Sequence, residues 1–274
     1  MIVVAPFVMY LILRSKSFLS RFWWIGVMVV LLLGIYFSYT RAAHISLVLG
    51  MGGAYIIYKG WMKYALGLTV IGVIVLFSNL LNDNRYLDMA PDYDTTVSHT
   101  NFNDLISATS QGKDISTMER VYRWVAGYEM IQRQPYLGFG PGNFYNFYKS
   151  YTITNFKTYV SDNPEKSGIH SYYLMTFVEQ GAVGLLIFLM LCFYALLKFE
   201  EVYHRTTSFH DRTLILSASV CFMIILAFQI INDLIETDKV GPFFFLCLAI
   251  LLVGDLRQRK ISVISQEKYV LEEE

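Results

Sequence analysis

Residues 172–197 read YYLMTFVEQGAVGLLIFLMLCFYALL, an apolar stretch that carries one charged side chain, Glu179. About 20 such residues let a helix cross the hydrocarbon core of a bilayer. Comparable runs occupy residues 22–39, 42–58, 64–81 and 213–231, and a shorter run, 240–253, can be extended to Leu256. With 55% hydrophobic and 16% charged residues and a mean hydropathy of +0.43, the chain is too apolar for a soluble domain. We therefore predict an all-α fold, a polytopic transmembrane helix bundle.

The runs divide the chain into four parts. We expect N-terminal transmembrane helices in 1–81, one large, partly helical periplasmic loop in 82–168, C-terminal transmembrane helices in 169–256 and a cytoplasmic tail in 257–274. The run at 1–13 is too short to cross a bilayer at about 1.5 Å per residue. We expect it to be the end of a truncated helix, with native sequence missing before it.

Lysine and arginine in the short connections predict the orientation, because cytoplasmic loops retain positive charge. Four connections on one side carry Arg14, Lys16 and Arg21; Lys59 and Lys63; Lys198, Arg205 and Arg212; and Arg257, Arg259 and Lys260. The other side receives Arg41, the acidic turn 232–239 and the large loop. This pattern predicts a loop outside the cytoplasm and a C-terminus inside it.

Several classes of function are excluded by composition and spacing. The formal net charge is zero and no basic patch alternates with aromatic residues, so nucleic-acid binding is not expected. The three cysteines, Cys192, Cys221 and Cys247, lie in apolar runs without a second ligand at metal-binding spacing. We expect them to be packing residues, and we expect neither a metal site nor a cofactor.

The large loop contains one clear helix. Ser116 and Glu119 form a capping box and Pro135 ends the helix, which predicts helix over 117–134. Its predicted apolar stripe consists of Val121, Trp124, Val125, Tyr128 and Ile131. Arg120 and Arg123 flank this stripe together, where two guanidinium groups suit a phosphate or pyrophosphate. Alternatively, they snorkel or pair with Asp114 and Glu129.

Two further parts of the loop carry open alternatives. The glycine-rich stretch 135–143 either brings backbone amides to an anion or is a helix stop followed by tight turns. The aromatic residues of 144–159 either stack on sugars or rest at the membrane interface. The polar stretch 82–114 is predicted to be irregular, with His99 as a solvated loop histidine.

His170 precedes the run at 172–197 and is the best general-base candidate on the loop side, with a simple interfacial anchor as the alternative. Glu179, nine residues on, lies deeper and needs a partner, for which Arg41 is a candidate. On a continuous helix nine residues turn by about 180°, so Glu179 is expected to face away from His170 and to support the fold.

Three motifs follow one another along the chain: Arg120-x-x-x-Trp124; Pro135-x-x-Gly138-x-Gly140-x-Gly142-Asn143-Phe144; and His170-x-x-x-Leu174-x-x-x-x-Glu179-x-Gly181. With Tyr39-Thr40-Arg41-Ala42 they resemble the O-antigen ligase and O-antigen polymerase family, over about residues 39–197. Ser171 stands where that family usually has Asn. From this resemblance we expect the segments to be the C-terminal portion of a longer bundle.

The resemblance implies a metal-independent glycosyltransferase of the bacterial inner membrane, surrounded by membrane lipids and acting in lipopolysaccharide biosynthesis. Its donor would be an undecaprenyl-pyrophosphate-linked glycan and its acceptor lipid A-core or another glycan. The implied roles are catalysis by His170, pyrophosphate binding by Arg120, Arg41 and Arg123, and structural support from Glu179, Trp124, Gly138, Gly140 and Gly181.

Other functions remain open at this stage. A glycan polymerase or a protein O-oligosaccharyltransferase would share the donor and differ in the acceptor. A polysaccharide transporter or flippase would carry its polar cluster near the midplane, but the runs are sparse in charge and show neither an inverted repeat nor a broken helix. An inactive fragment or a membrane-embedded partner is the remaining alternative.

Overall fold

The computed structural model describes residues 1–38, 41–81, 115–152 and 168–272, and within these ranges its regular secondary structure is entirely helical. The helices are α1 (Ala5–Arg14), α2 (Phe18–Phe37), α3 (Arg41–Lys59), α4 (Met62–Leu81), α5 (Ile115–Arg133), α6 (Phe144–Phe147), α7 (Tyr172–Arg205), α8 (Phe209–Phe228) and α9 (Gly241–Glu272). Short 3-10 turns precede α1 and follow α6. The predictions for 82–114, including His99, and for the aromatic residues beyond 152 fall outside the described residues.

Each predicted membrane run overlaps one of these helices over most of its length. Four helices in the described ranges are long and apolar enough to cross a membrane: Phe18–Phe37, Tyr172–Arg205, Phe209–Phe228 and Gly241–Ile261. Shorter apolar helices lie at Ile2–Arg14 and Met62–Leu76. The prediction of an all-α, polytopic helical bundle is confirmed.

The segment 257–272, predicted to be a cytoplasmic tail, is helical. Helix α9 runs without interruption from Gly241 to Glu272. No glycine or proline follows Gly254, so nothing in the sequence stops the helix there.

The described chain forms two compact units, the first comprising Met1–Gly67, Leu191–Phe228 and Leu234–Glu274. Its centre is α8, which packs against α1, α3 and α9. Gly50 in α3 faces Ile224, where an added Cβ would lie 2.7 Å from the Ile224 side chain. Small residues of this kind let two membrane helices approach closely. The three cysteines are buried and free.

The second unit comprises Leu68–Met190 and Gln229–Asp233, and its core is built around α5. Val121, Val125 and Ile131 of the predicted stripe are buried, whereas Trp124 and Tyr128 are only partly so. The buried face of α5 is wider than the predicted stripe, because Tyr122, Ala126 and Met130 are buried as well. These residues form one cluster with Phe144, Tyr148, Ile169 and Val178. The segments after α5 therefore cover a second side of this helix.

Helix α7 is interrupted at Gly181, whose backbone takes φ 66° and ψ −170°. In a continuous helix the amides of Ala182 and Val183 would donate to the carbonyls of Val178 and Glu179. Instead, those amides donate to the carbonyls of Pro135 and Tyr136, at 2.9 and 3.4 Å. The freed carbonyls of Val178 and Glu179 accept from the amides of Phe139 and Gly140, at 3.0 and 2.8 Å. The glycine-rich loop thus replaces one turn of hydrogen bonds in α7, and the expectation of unbroken helices was wrong.

Two glycines make this contact possible. Gly181 and Gly138 have φ values of 66° and 68°, in the left-handed region that favours glycine. A Cβ on Gly181 would overlap the carbonyl of Tyr136, and one on Gly138 would overlap the backbone of Glu179. The two backbones therefore meet without any space for a side chain, which gives both motif glycines a steric reason.

We predict that Gly181→Ala opens this junction. The left-handed conformation alone costs a residue with a Cβ about 1–3 kcal/mol, and the overlap with Tyr136 adds to that cost. Hydrogen exchange in detergent micelles should show faster exchange of the amides of Phe139, Gly140, Ala182 and Val183.

The matched control is Gly72→Ala in α4, where an added Cβ meets nothing within 4 Å. Equal protection of the four amides in the Gly181 and Gly72 variants would contradict the steric account.

Candidate active site

His170 lies two residues before α7 begins and is the one non-glycine residue with positive φ, 58°, in the described ranges. The backbone around it is held by the segment 229–233. The amide of Tyr172 is within hydrogen-bond distance of the carbonyls of Gln229 and Asn232, 3.0 Å from each. The amide of His170 donates to Oδ2 of Asp233 over 3.4 Å. A left-handed histidine is strained, and these contacts hold it in place.

Asp233 is a site residue that the sequence analysis missed. Its Oδ1 lies 3.9 Å from Nδ1 of His170, and its side chain is 16% exposed. Gly168 packs so closely on this carboxylate that a Cβ there would overlap Oδ2. Asp233 belongs to the acidic turn that the charge distribution placed on the same side as the large loop. That placement could have indicated Asp233 as a site residue.

Arg123 joins α5 to the same segment. Its side chain is buried, Nη1 donates to the carbonyl of Gly168 over 2.9 Å, and Nη2 lies 3.5 Å from the Glu119 carboxylate. Glu119, one turn earlier, is a partner that the sequence analysis did not name; of the two alternatives given there, Asp114 lies outside the described residues. Nε of Arg123 is buried without a hydrogen-bond partner in the described part of the chain.

The charges around His170 change its pKa. Burial lowers it most; Asp233 opposes this by attraction, Arg123 and Arg120 lower the pKa further by repulsion, and Glu119 raises it. The net result is a pKa below the ordinary 6.5. Arg120 and Arg123 are therefore close enough to His170 to affect its charge, and the imidazole is neutral near pH 7. A neutral imidazole can accept a proton.

Glu179 serves a different purpose. Its Oε2 accepts a hydrogen bond from the amide of Gly142 over 2.7 Å, and Oε1 accepts one from the amide of Phe144 over 3.0 Å. The glycine-rich loop does bring amides to an anion, and that anion is the chain's own Glu179. The argument from helical rotation started from the wrong residue, because α7 begins at Tyr172 and not at His170.

The remaining predicted residues are placed as follows. Arg41 is the first residue of α3, and its side chain lies outside what the structure describes. Trp124 is half-buried against the α5 core, with its indole nitrogen buried and without a hydrogen-bond partner among the described residues. Gly140 has φ 91° and donates to Glu179, as described above. Among the described residues no group of three or more His, Cys, Asp or Glu is placed to hold a metal ion.

A model of the O-antigen ligase family matches residues 26–189, more than half of the chain. The match includes Arg41, Arg120, His170 and Glu179. The chain belongs to the O-antigen ligase family. No curated protein matches it in a sequence comparison. The resemblance proposed from the motifs is thereby confirmed, and O-antigen ligases are membrane glycosyltransferases that use lipid-linked glycans and glycan acceptors in general.

For this O-antigen ligase family member, we predict that Asp233→Asn lowers the pKa of His170 further. The substitution removes the attraction that raises the pKa, whereas burial and both arginines remain. The chain has five histidines, so ¹³C-histidine labelling and an NMR titration in micelles can follow each of them, with His170→Gln for assignment.

Asp238→Asn is the control, because Asp238 is an exposed acid of the same turn. A rise in the pKa of His170, or no difference between the two variants, would contradict the role of Asp233.

Proposed function

We propose that this chain transfers a glycan from an undecaprenyl-pyrophosphate donor to an acceptor hydroxyl, without a metal, at the periplasmic face of a bacterial inner membrane. The observation that carries the proposal is the cluster of His170, Arg120 and Arg123 next to the start of α7. A neutral base beside cationic groups is what transfer from a pyrophosphate requires. One group takes the acceptor proton, and the others neutralise the leaving anion.

The reaction has one bond-forming and one bond-breaking event. The acceptor oxygen bonds to the anomeric carbon of the donor glycan while the bond from that carbon to the phosphate oxygen breaks. The hydroxyl proton passes to His170, and the electron pair of the broken bond leaves with undecaprenyl pyrophosphate. Arg120 would bind the pyrophosphate through its planar fork of donors, and we assign Arg41 the same role from its place in the family motif.

The position of Asp233 supports a choice of nitrogen. Because Nδ1 of His170 faces the Asp233 carboxylate, a neutral imidazole with its proton on Nδ1 leaves Nε2 free to accept. After proton transfer the carboxylate would stabilise the imidazolium, as a buried acid does for the histidine of a catalytic triad. Asp233 therefore positions the base and does not itself take the proton.

Arg123 has a mixed role in this proposal. We predicted that it binds pyrophosphate together with Arg120, and its buried charge would still attract the anion. Its Nη1, however, bonds to the Gly168 carbonyl two residues before His170. We therefore propose that Arg123 contributes charge from behind the site and holds the histidine segment against α5.

We propose lipid A-core or another glycan as the acceptor; with lipid A-core, the reaction would be the ligation step of lipopolysaccharide biosynthesis. Orientation rests on the basic connections, which favour a periplasmic loop and a cytoplasmic C-terminus. A glycan polymerase or a protein O-oligosaccharyltransferase of the same family would use the same donor. Analysis of the product, as lipid A-core glycan, longer polyprenyl glycan or glycoprotein, separates these three.

The sequence analysis argued against a transporter partly because no broken helix was evident. The break in α7 removes that reason. The break in α7 nevertheless differs from one that binds cargo. Its four freed backbone groups bond to the glycine-rich loop, and the Glu179 carboxylate bonds to two amides of that loop. Transporters instead use such freed groups to hold substrates and ions. The geometry supports a transferase.

We predict that His170→Ala reduces glycan transfer by about 100-fold or more, in line with the usual contribution of a general base. The assay restores the protein in a ligase-deficient host and measures glycan transfer at equal protein levels. His210→Ala is the control, since His210 is exposed near the start of α8. Unchanged transfer by the His170 variant would end its assignment as the base.

We predict that Arg120→Lys fails nearly as severely as Arg120→Ala. A lysine keeps the charge but loses the forked donor geometry, and loss of one preorganised donor typically costs about 10²–10³ in rate. Arg133→Lys, an exposed position on α5, should transfer normally. Full activity of Arg120→Lys would contradict a bidentate contact with pyrophosphate.

A further inference from the structure

The tip of the glycine-rich loop exposes two large apolar side chains. Tyr136 and Leu137 are each 75% exposed. Beside them, the section of α7 after the break exposes Val183, Leu186 and Ile187 at 50%, 58% and 60%. The amide of Val183 bonds to the carbonyl of Tyr136, so the tip and this face of α7 adjoin. Together these five residues form one apolar surface, which we call the tip surface.

The position of the tip along α7 indicates what covers it. No charged residue occurs from Ala182 to Leu197, so the apolar part of this spanning helix begins at the break. The carbonyl of Tyr136 accepts a hydrogen bond from the amide of Val183, the second residue of this apolar part. The lipid-facing side of a spanning helix is in contact with acyl chains, and the tip surface continues this side toward the loop.

A loop can lie at the edge of a bilayer only if its backbone polar groups have partners, because hydrocarbon offers none. The exchange with α7 supplies partners for four of them. The carbonyls of Pro135 and Tyr136 and the amides of Phe139 and Gly140 all bond to α7. These four bonds lower the cost of placing the tip at the edge of a bilayer.

The residues flanking the tip fit the boundary of a bilayer. Arg133 is exposed at the end of α5, three residues before Tyr136. A basic side chain that reaches the phosphates, a tyrosine at the headgroup level and a leucine below it form a common anchor at membrane interfaces. The positive charge of Arg133 is also complementary to anionic headgroups.

We propose that Tyr136 and Leu137 insert into the edge of the bilayer as a lipid-contacting wedge that anchors the glycine-rich loop to the membrane. The wedge depends on the loop–helix junction and on the spanning of α7, and not on glycosyl transfer. The chain would keep it even if the proposed reaction were wrong.

A fluorescent reporter can test the wedge in the full chain. Leu137→Cys and Asn146→Cys are labelled with an environment-sensitive nitrobenzoxadiazole dye and reconstituted into vesicles of phosphatidylethanolamine and phosphatidylglycerol. Asn146 is the matched control because it is exposed on the same segment. The unsubstituted chain, whose three cysteines are buried, gives the labelling background.

The expected result is blue-shifted emission at position 137, with at least a twofold loss of intensity when the vesicles carry shallow doxyl-labelled lipids. Aqueous iodide should quench the dye at 146 and leave the dye at 137 largely unaffected. Iodide quenching at 137 without doxyl quenching would overturn the wedge. Shielding of 137 from both quenchers would indicate contact with a second copy of the chain, and would overturn it as well.

Discussion

Four backbone groups of α7 that would ordinarily bond to each other bond instead to the loop after α5. The exchange keeps every one of these groups paired, so the helix can be broken beside the membrane without the cost of unpaired polar groups. The arrangement of the second unit depends on it. The junction fixes the loop, the loop leads into α6, and Phe144 and Tyr148 then close the core over α5. With α5 fixed in this way, Arg123 reaches Gly168, and the segment that carries His170 is held on two sides.

Two acids of this unit, Glu179 and Asp233, have separate tasks. Within the described ranges, the hydrogen bonds of the Glu179 carboxylate come from backbone amides, so it acts as a structural anion that ties the loop to α7. Asp233 faces a titratable group, so its charge affects the protonation of His170. Asp233 raises the pKa of His170, whereas the two arginines lower it. Burial also lowers this pKa. The site thereby combines two guanidinium groups, suited to an anionic leaving group, with an uncharged base.

The fold was largely predictable, since runs of about 20 apolar residues specify spanning helices by length alone. The helix of the loop was predictable within two residues at either end. Pro135 follows its end as expected, whereas Ser116, the predicted N-cap, lies inside the helix, which begins at Ile115. The break at Gly181 was not predictable from periodicity: a glycine in an apolar run is ordinary in a membrane helix, and only the partner loop shows that φ is positive here. Asp233 was missed because its distance from His170 is small in space and large in sequence. For Arg123, local spacing identified the cationic pair with Arg120 but could not foresee that one member would bond to the carbonyl of Gly168.

The close packing of the loop at Gly138 on α7 at Gly181 also has a consequence for evolution. Because neither backbone leaves room for a side chain on the other, and Glu179 serves the amides of a loop some forty positions earlier, the segments 135–144 and 178–183 act as one heritable unit. A chimera that exchanges the loop between relatives without the helical segment would combine two surfaces that were never selected together. In an alignment of such relatives, changes at these positions should therefore occur jointly, and the break in the helix should be present or absent together with the glycines of the loop.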